Sequence, residues 1–425
     1  MQQNSEYNND LKKLANCHAN GEFEKLLILA DSFIKKYPKN VNGYNAQALA
    51  YKALGNFDKA KEIFTFLINN STDTSIIHSN LANLYFDIGQ INNALEHHKK
   101  TLSIEPNHQN SLNGAGLCLS EMGKDEEAIK YYTKALENNP QNENSHFNIA
   151  TSLRKLNHLK EAAFHYGKSS KRLSKSFQLE CLYTDPNATI EEFNNVLDEL
   201  IKMPVNPLAA CLSTHASIRF SQDDKYPFCS EPFDFIKKYN LYEHKKFNDA
   251  LIEELLNDIK RAKVQKKAQA LLNNGVQTSG NLFLLEYESI KKFHSILTEM
   301  VDQYKSEFSS KKEGFLIQWP NNSSLWGWII ILSQGGNLDA HMHKEGWLSS
   351  SIYFERPERK EENEGDIKFS LHGAKYPKNN KDFPEKIIKI EKGDMVIFPS
   401  SIFHSTIPFQ SQQERITFAF DVIPS

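Results

Sequence analysis

The chain has 425 residues, of which 40% are hydrophobic and 24% charged, with a formal net charge of −3. That length accommodates two or three domains, and the composition is that of a folded protein. The slight acidic balance argues against a general nucleic-acid or membrane-surface binder, and the most apolar stretch, 326–332, is far too short to span a bilayer. Five cysteines (Cys17, Cys118, Cys181, Cys211, Cys229) are scattered without metal-like spacing and read as reduced thiols. Residues 1–10 carry no basic segment followed by an apolar one, so no signal peptide is visible and a cytoplasmic location is expected.

The first 176 residues keep a 34-residue period. Gly21, Gly55, Gly89 and Gly123 mark it, and Asn157 holds the fifth place. Leu14, Ala48, Ala82, Gly116 and Ala150 precede these markers; Leu26, Ala60, Ala94, Ala128 and Ala162 follow them; Pro38, Thr72, Pro106 and Pro140 close the unit. Small residues let two helices pack closely, the glycine or asparagine ends the first helix in a left-handed conformation, and the proline stops the second. Phe64, Tyr132 and Tyr166 share a further slot, expected to fill the contact with the neighbouring repeat. The pattern resembles the tetratricopeptide repeat (TPR), with five copies over about residues 7–176 inside an all-α solenoid domain 1–176. The resemblance implies a concave surface that recruits a protein or peptide. Asn42, Asn45, Asn83, Asn110, Asn113 and Asn144 are candidates to face it, since amides can clamp a peptide backbone; an alternative is that the chain is simply rich in asparagine.

Periodicity stops between 177 and 224, which reads as a capping helix and linker. Cap-like residues ahead of 190–201 predict a helix there, whereas 214–218 and 221–227 read as loop. Stretches 247–264 and 287–308 are amphipathic and helical, and 272–280 between them is turn-rich. His215, His244 and His294 have no partner at ligand spacing and read as surface or satisfied core residues.

From residue 315 onward short apolar or alternating runs appear, at 325–332, 349–354, 367–370, 387–390, 395–398 and 415–421. Turn residues separate them, which predicts an antiparallel sandwich or barrel. Here stand Ala340-His341-Met342-His343, a third histidine at His404, and Arg415 eleven residues later. Residues two apart on a strand share a face, so His341 and His343 can reach one ion with His404 completing the set. Imidazoles suit iron, zinc, copper or nickel. Alternation puts Arg415 and Thr417 on one face, and an inward arginine is costly unless it meets an anion.

These residues carry a further resemblance. Gly335-Gly336-Asn337, the His-x-His pair, Gly346-Trp347-Leu348-Ser349, Gly365-x-Ile367-x-Phe369, Gly393-Asp394-x-Val396-x-Phe398-Pro399-Ser400, His404 and Glu414-Arg415-Ile416-Thr417 look like the core of a bacterial and phage family of 2-oxoglutarate/Fe(II)-dependent oxygenases. The resemblance covers about residues 225–425 and implies a mainly-β double-stranded β-helix (jelly roll) with flanking helices. It implies Fe(II) as metal, 2-oxoglutarate as co-substrate, and His341, His343 and His404 as ligands. Arg415, assisted by Thr417, would hold the distal carboxylate. Decarboxylation to succinate would drive oxidation of an unknown substrate by O2, hydroxylation being the usual outcome.

The usual set has two histidines and one carboxylate. An alternative therefore pairs His343 with Glu345 and leaves His341 outside the set; His372 is a more remote substitute. Where the family has a small-glycine-valine run, this chain has Ser349-Ser350-Ser351-Ile352. A non-enzymatic TPR adaptor whose β domain has lost iron chemistry, and a zinc isomerase of the cupin type, are the competing readings.

Overall fold

A computed structural model of the protein describes residues 2–70 and 74–424; Thr72 lies outside the described residues. The chain divides into two compact units, Met1–Cys181 and Leu182–Ser425.

The first unit is a helical array. Its helices pair as Gln2–Ala19 with Phe23–Lys36, Val41–Ala53 with Phe57–Asn70, Ser75–Asp87 with Ile91–Ile104, Gln109–Glu121 with Asp125–Asn138, and Glu143–Lys155 with Leu159–Gly167. The marker slot does what its chemistry allows: φ is +71° to +77° at Gly21, Gly55, Gly89 and Gly123, and +63° at Asn157, the non-glycine residue that best tolerates this region. The small slots are tight. A Cβ on Gly116 would stand 2.4 Å from the Tyr132 ring. His98 holds in the third repeat the slot that Phe64, Tyr132 and Tyr166 hold elsewhere; it is buried against Gly114. Among the candidate groove asparagines, Asn45 accepts from Asn80 (2.8 Å) and Asn113 accepts from Ser145 (2.9 Å), which ties first helices of neighbouring repeats together. Asn42, Asn110 and Asn144 are exposed and Asn83 half-buried.

The second unit begins with helices. Ile190–Leu200 opens on a capping box between Thr189 and Glu192, as its sequence predicts. Residues 214–218, expected as loop, lie inside the helix Pro207–Phe220. Asn206 caps it and Pro207 starts it, and burial of 207–216 on every side erases the one-sided periodicity that would have betrayed a helix. The helices Asp249–Arg261 and Glu288–Glu307 fall within the amphipathic stretches.

Among the described residues the strands are, in chain order, β1 (Lys237–Asn240), β2 (Lys266–Lys267), β3 (Leu272–Thr278), β4 (Ser323–Leu338), β5 (Leu348–Glu355), β6 (Ile367–Ser370), β7 (Glu385–Ile388), β8 (Asp394–Pro399), β9 (Phe403–Thr406) and β10 (Arg415–Pro424). They form a seven-stranded sheet, β1-β8-β5-β10-β4-β3-β2, and a three-stranded sheet, β7-β6-β9, antiparallel throughout. This is the jelly-roll arrangement. Residues 272–280, expected as turns, contain β3, and the expected strand at 387–390 sits two residues earlier as β7. Asn273, Asn274 and Gly275 disguise β3 because the ladder slips there against β4; a Cβ on Gly275 would lie 2.4 Å from the Leu332 side chain. Tyr353, Ile367, Phe369, Val396 and Phe398 form a core shared by both sheets. The outer face of the large sheet is sealed by Phe293, from the helix Glu288–Glu307, against Phe354 and Phe418. Among the described residues, no helix is long and apolar enough to cross a membrane.

Candidate metal centre

The site begins where β4 ends. Beyond Leu338 the chain bends at Ala340, and His341 forms a two-way bridge with His404: His341 N–H donates to the His404 carbonyl (3.1 Å) and His404 N–H to the His341 carbonyl (2.9 Å). His343 N–H donates to the Ser400 carbonyl (3.3 Å). Both histidines are thus pinned to the segment 400–404, and the ring centroids of His341, His343 and His404 stand 4.3–5.1 Å apart. Each offers a ligand atom within 4.8 Å of the other two, and no second group of three such side chains occurs among the described residues.

Which nitrogen each ring leaves free decides what the cluster can do. His341 Nδ1 donates to the Asp339 carbonyl (2.8 Å), and His343 Nδ1 to Asp421 Oδ1 (2.6 Å). His404 Nδ1 faces the Ile402 carbonyl at 3.5 Å. Carbonyls and carboxylates only accept, so each Nδ1 carries a proton and Nε2 is the nitrogen left to offer a lone pair. None of the three Nε2 atoms has a hydrogen-bond partner among the described residues. Burial, then the neighbouring His343, lowers the His341 pKa to about 4; burial and the other two rings push His404 well below its usual value. Near neutral pH both are lone-pair donors. Three such imidazoles, each fixed from behind, fit a divalent first-row transition metal.

The same cavity, about 220 Å³, ends on Arg415 and Thr417. Arg415 is buried at the start of β10. Its Nε donates to the Gly365 carbonyl (3.0 Å), its Nη1 to Thr417 Oγ1 (2.8 Å), and its Cζ lies 4.9 Å from the Tyr353 ring centroid. Burial lowers its pKa, opposed by Tyr353 and Asp366. Among the described residues no carboxylate lies within ion-pair distance of it. A buried guanidinium with no carboxylate in reach among the described residues, at the end of a cavity that starts on three imidazoles, has the charge and the donors to meet an anion. A larger cavity of about 850 Å³ shares Leu271, Leu338, Ser405 and Thr406 with this one.

Glu345, the alternative carboxylate, is exposed and lies outside the three-histidine group. His372 is also outside it; its Nδ1 meets His215 Nε2 at 2.9 Å, and His215 Nδ1 meets the Tyr183 hydroxyl. His215 is a satisfied core residue, His244 pairs with Glu299, and His294 stands edge-on to Phe283. Residues that sequence reasoning missed are Asp421, Ser349 and Ser400 around His343. A signal existed: Arg415, Thr417, Ala419 and Asp421 keep the alternation of one strand face, and all four line the cavity.

Residues 327–421 match the profile of a family described as "Putative 2OG-Fe(II) oxygenase", and residues 73–141 and 41–65 match two tetratricopeptide-repeat profiles. The chain thus joins TPR repeats to a domain of that oxygenase description. No curated protein matches. Similar solved structures include pilF of Pseudomonas aeruginosa, at 12% identity and a TM-score of 0.42 over 48% of this chain and 94% of that one. MamA MSR-1 follows at 20% identity and 0.32 over 38% and 94%. YrrB, described as a TPR protein with an unusual peptide-binding site, is at 15% identity and 0.31 over 40% and 84%.

Proposed function

We propose that residues 225–425 form an Fe(II)- and 2-oxoglutarate-dependent dioxygenase, a hydroxylase in its simplest reading, and that the repeat array 1–176 recruits a protein or peptide. The observation that carries this is one cavity bounded by three imidazoles and by a buried Arg415, where, among the described residues, the Nε2 atoms have no hydrogen-bond partner and Arg415 has no carboxylate partner. Either end alone would be ordinary.

His341, His343 and His404 would hold the metal. Bound there with 2-oxoglutarate and O2, iron supplies the oxidising power that couples loss of CO2 to substrate oxidation. The protein's own part is orientation. Asp339, Ile402 and Asp421 hold the rings so that Nε2 remains the donor. Arg415 receives the distal carboxylate with charge-assisted bonds, and Thr417 fixes the guanidinium plane for them. Trp328, Ile330, Leu338 and Ile367 supply the cavity's apolar wall, which lowers the local dielectric and strengthens that pairing. The larger adjoining cavity gives the substrate its approach, at a volume suited to a small molecule or one side chain. Asn42, Asn110 and Asn144 are the array's exposed polar groups for a partner backbone.

Purified protein supplied with Fe(II) under air is expected to convert 2-oxoglutarate to succinate, at a slow uncoupled rate without substrate. Absence of succinate with and without candidate substrates would leave the second reading, a TPR adaptor whose β domain has lost iron chemistry. That reading is favoured by one fact, the lack of a carboxylate in the histidine group.

A further inference from the structure

Three neutral imidazoles leave a divalent ion with its full double charge inside a largely apolar cavity, whereas the common set of two histidines and one carboxylate cancels one unit. The missing charge has a source one ring away. Asp421 is 7% exposed, in the middle of β10, opposite Ser349 of β5 and Trp326 of β4. Its Oδ1 accepts from His343 Nδ1 (2.6 Å) and from Ser349 Oγ (2.7 Å), and Ser349 Oγ meets Ser400 Oγ at 2.7 Å. A Cβ on Gly346 would lie 3.0 Å from Asp421 Cγ, so this neighbour has to be glycine or crowd the carboxylate. No lysine or arginine pairs with Asp421 among the described residues; the imidazole it meets is His343, through the Nδ1 hydrogen bond. A buried carboxylate is costly unless compensated, and its compensation here runs through the imidazole towards the cavity.

We propose that Asp421 is the positioning and charge-compensating carboxylate of this centre, fixing His343 as its Nδ1–H tautomer and raising the basicity of Nε2. Ser349 helps fix the carboxylate: it donates to the same Oδ1 that accepts from His343, and Ser400 in turn meets the Ser349 hydroxyl. Ser349 then has a reason, since a residue without a hydroxyl there would leave Oδ1 with one donor fewer. This inference rests on the metal-centre reading and explains how a three-histidine set can hold a divalent ion without a coordinated acid.

The test uses full-length, chelator-stripped protein titrated with Co(II) alone, followed by calorimetry and by visible d–d absorption. Asp421→Asn is expected to bind Co(II) about 10–100-fold more weakly, with a changed absorption envelope, and Ser349→Ala several-fold more weakly. In the metal-free wild type at neutral pH, a long-range ¹H–¹⁵N spectrum is expected to place the His343 proton on Nδ1. That spectrum needs no variant, so it stands even where Asp421→Asn fails to fold. Co(II) affinity within twofold of wild type in Asp421→Asn, or the proton on Nε2, would overturn the proposal. His341→Ala and His404→Ala separate the two claims. If they lose Co(II) and Asp421→Asn does not, the carboxylate's role falls and the metal centre stands; if neither loses it, both fall.

Discussion

Histidines cluster in two regions of this molecule, with opposite outcomes. In the repeat array, His78 and His97 turn their Nδ1 atoms on each other at 2.8 Å, and His146 and His165 do the same at 2.9 Å. His146 Nε2 also donates to the Pro140 carbonyl (3.1 Å), so its Nδ1 accepts and His165 Nδ1 donates. These pairs satisfy each other and pin two helices of one repeat. In the β domain's three-histidine cluster no imidazole bonds to another; each Nδ1 is held by a carbonyl or a carboxylate, and each Nε2 is left over among the described residues. Proximity of histidines therefore says little about metal binding, and the hydrogen-bond accounting on the far nitrogen says much more.

The sharpest way to break this contrast is substitution on both sides. His404→Ala is expected to abolish stoichiometric iron in freshly purified protein, whereas His97→Ala leaves it unchanged; metal analysis reads both. Equal iron in the two variants would erase the distinction. Next in size, Arg415→Ala removes the anion end of the cavity while sparing the imidazoles. The apparent KM for 2-oxoglutarate should rise about 100-fold, the worth of two charge-assisted hydrogen bonds, with bound metal retained.

A third prediction concerns the array alone. Gly116→Ala would drive a Cβ into the Tyr132 ring and cost ~1–3 kcal/mol in denaturant unfolding, leaving Co(II) affinity within twofold.

A pH dependence is expected in both regions. Burial, first among the causes, lowers His97, His98, His165 and His341 to about 4 and His215 to about 3. Their folded pKa values lie below the ordinary value of about 6.5, so between those values the unfolded chain binds more protons. Stability is therefore full above about pH 6.5 and declines as pH falls towards 4. Urea midpoints at a series of pH values should fall across that window, and saturating Co(II) should offset the decline in the β domain alone.

The array was legible because each of its slots is a local demand. A left-handed residue, a small residue at a helix crossing and a chain break leave the same trace in every repeat, down to Asn157 standing in for glycine. The residues that mark the candidate centre were legible by spacing, and the structure brings His341, His343, His404, Arg415 and Thr417 to one cavity. What hid was non-local. β3 reads as a turn because its asparagines and Gly275 serve a slipped ladder with β4, and the helix Pro207–Phe220 lost its periodicity to all-round burial. Asp421 was visible only as one more alternating position, since its partner His343 is 78 residues away.

In the proposed function one cavity holds both a metal and a dicarboxylate. Anaerobic addition of 2-oxoglutarate to Fe(II)-loaded protein tests it directly, through the visible charge-transfer absorption of a keto acid chelated to Fe(II). The expected result is a saturable absorption in wild type, lost in His404→Ala and moved to far higher 2-oxoglutarate concentration in Arg415→Ala. No absorption at any concentration in Fe(II)-loaded wild type, or one that Arg415→Ala leaves unmoved, would contradict it.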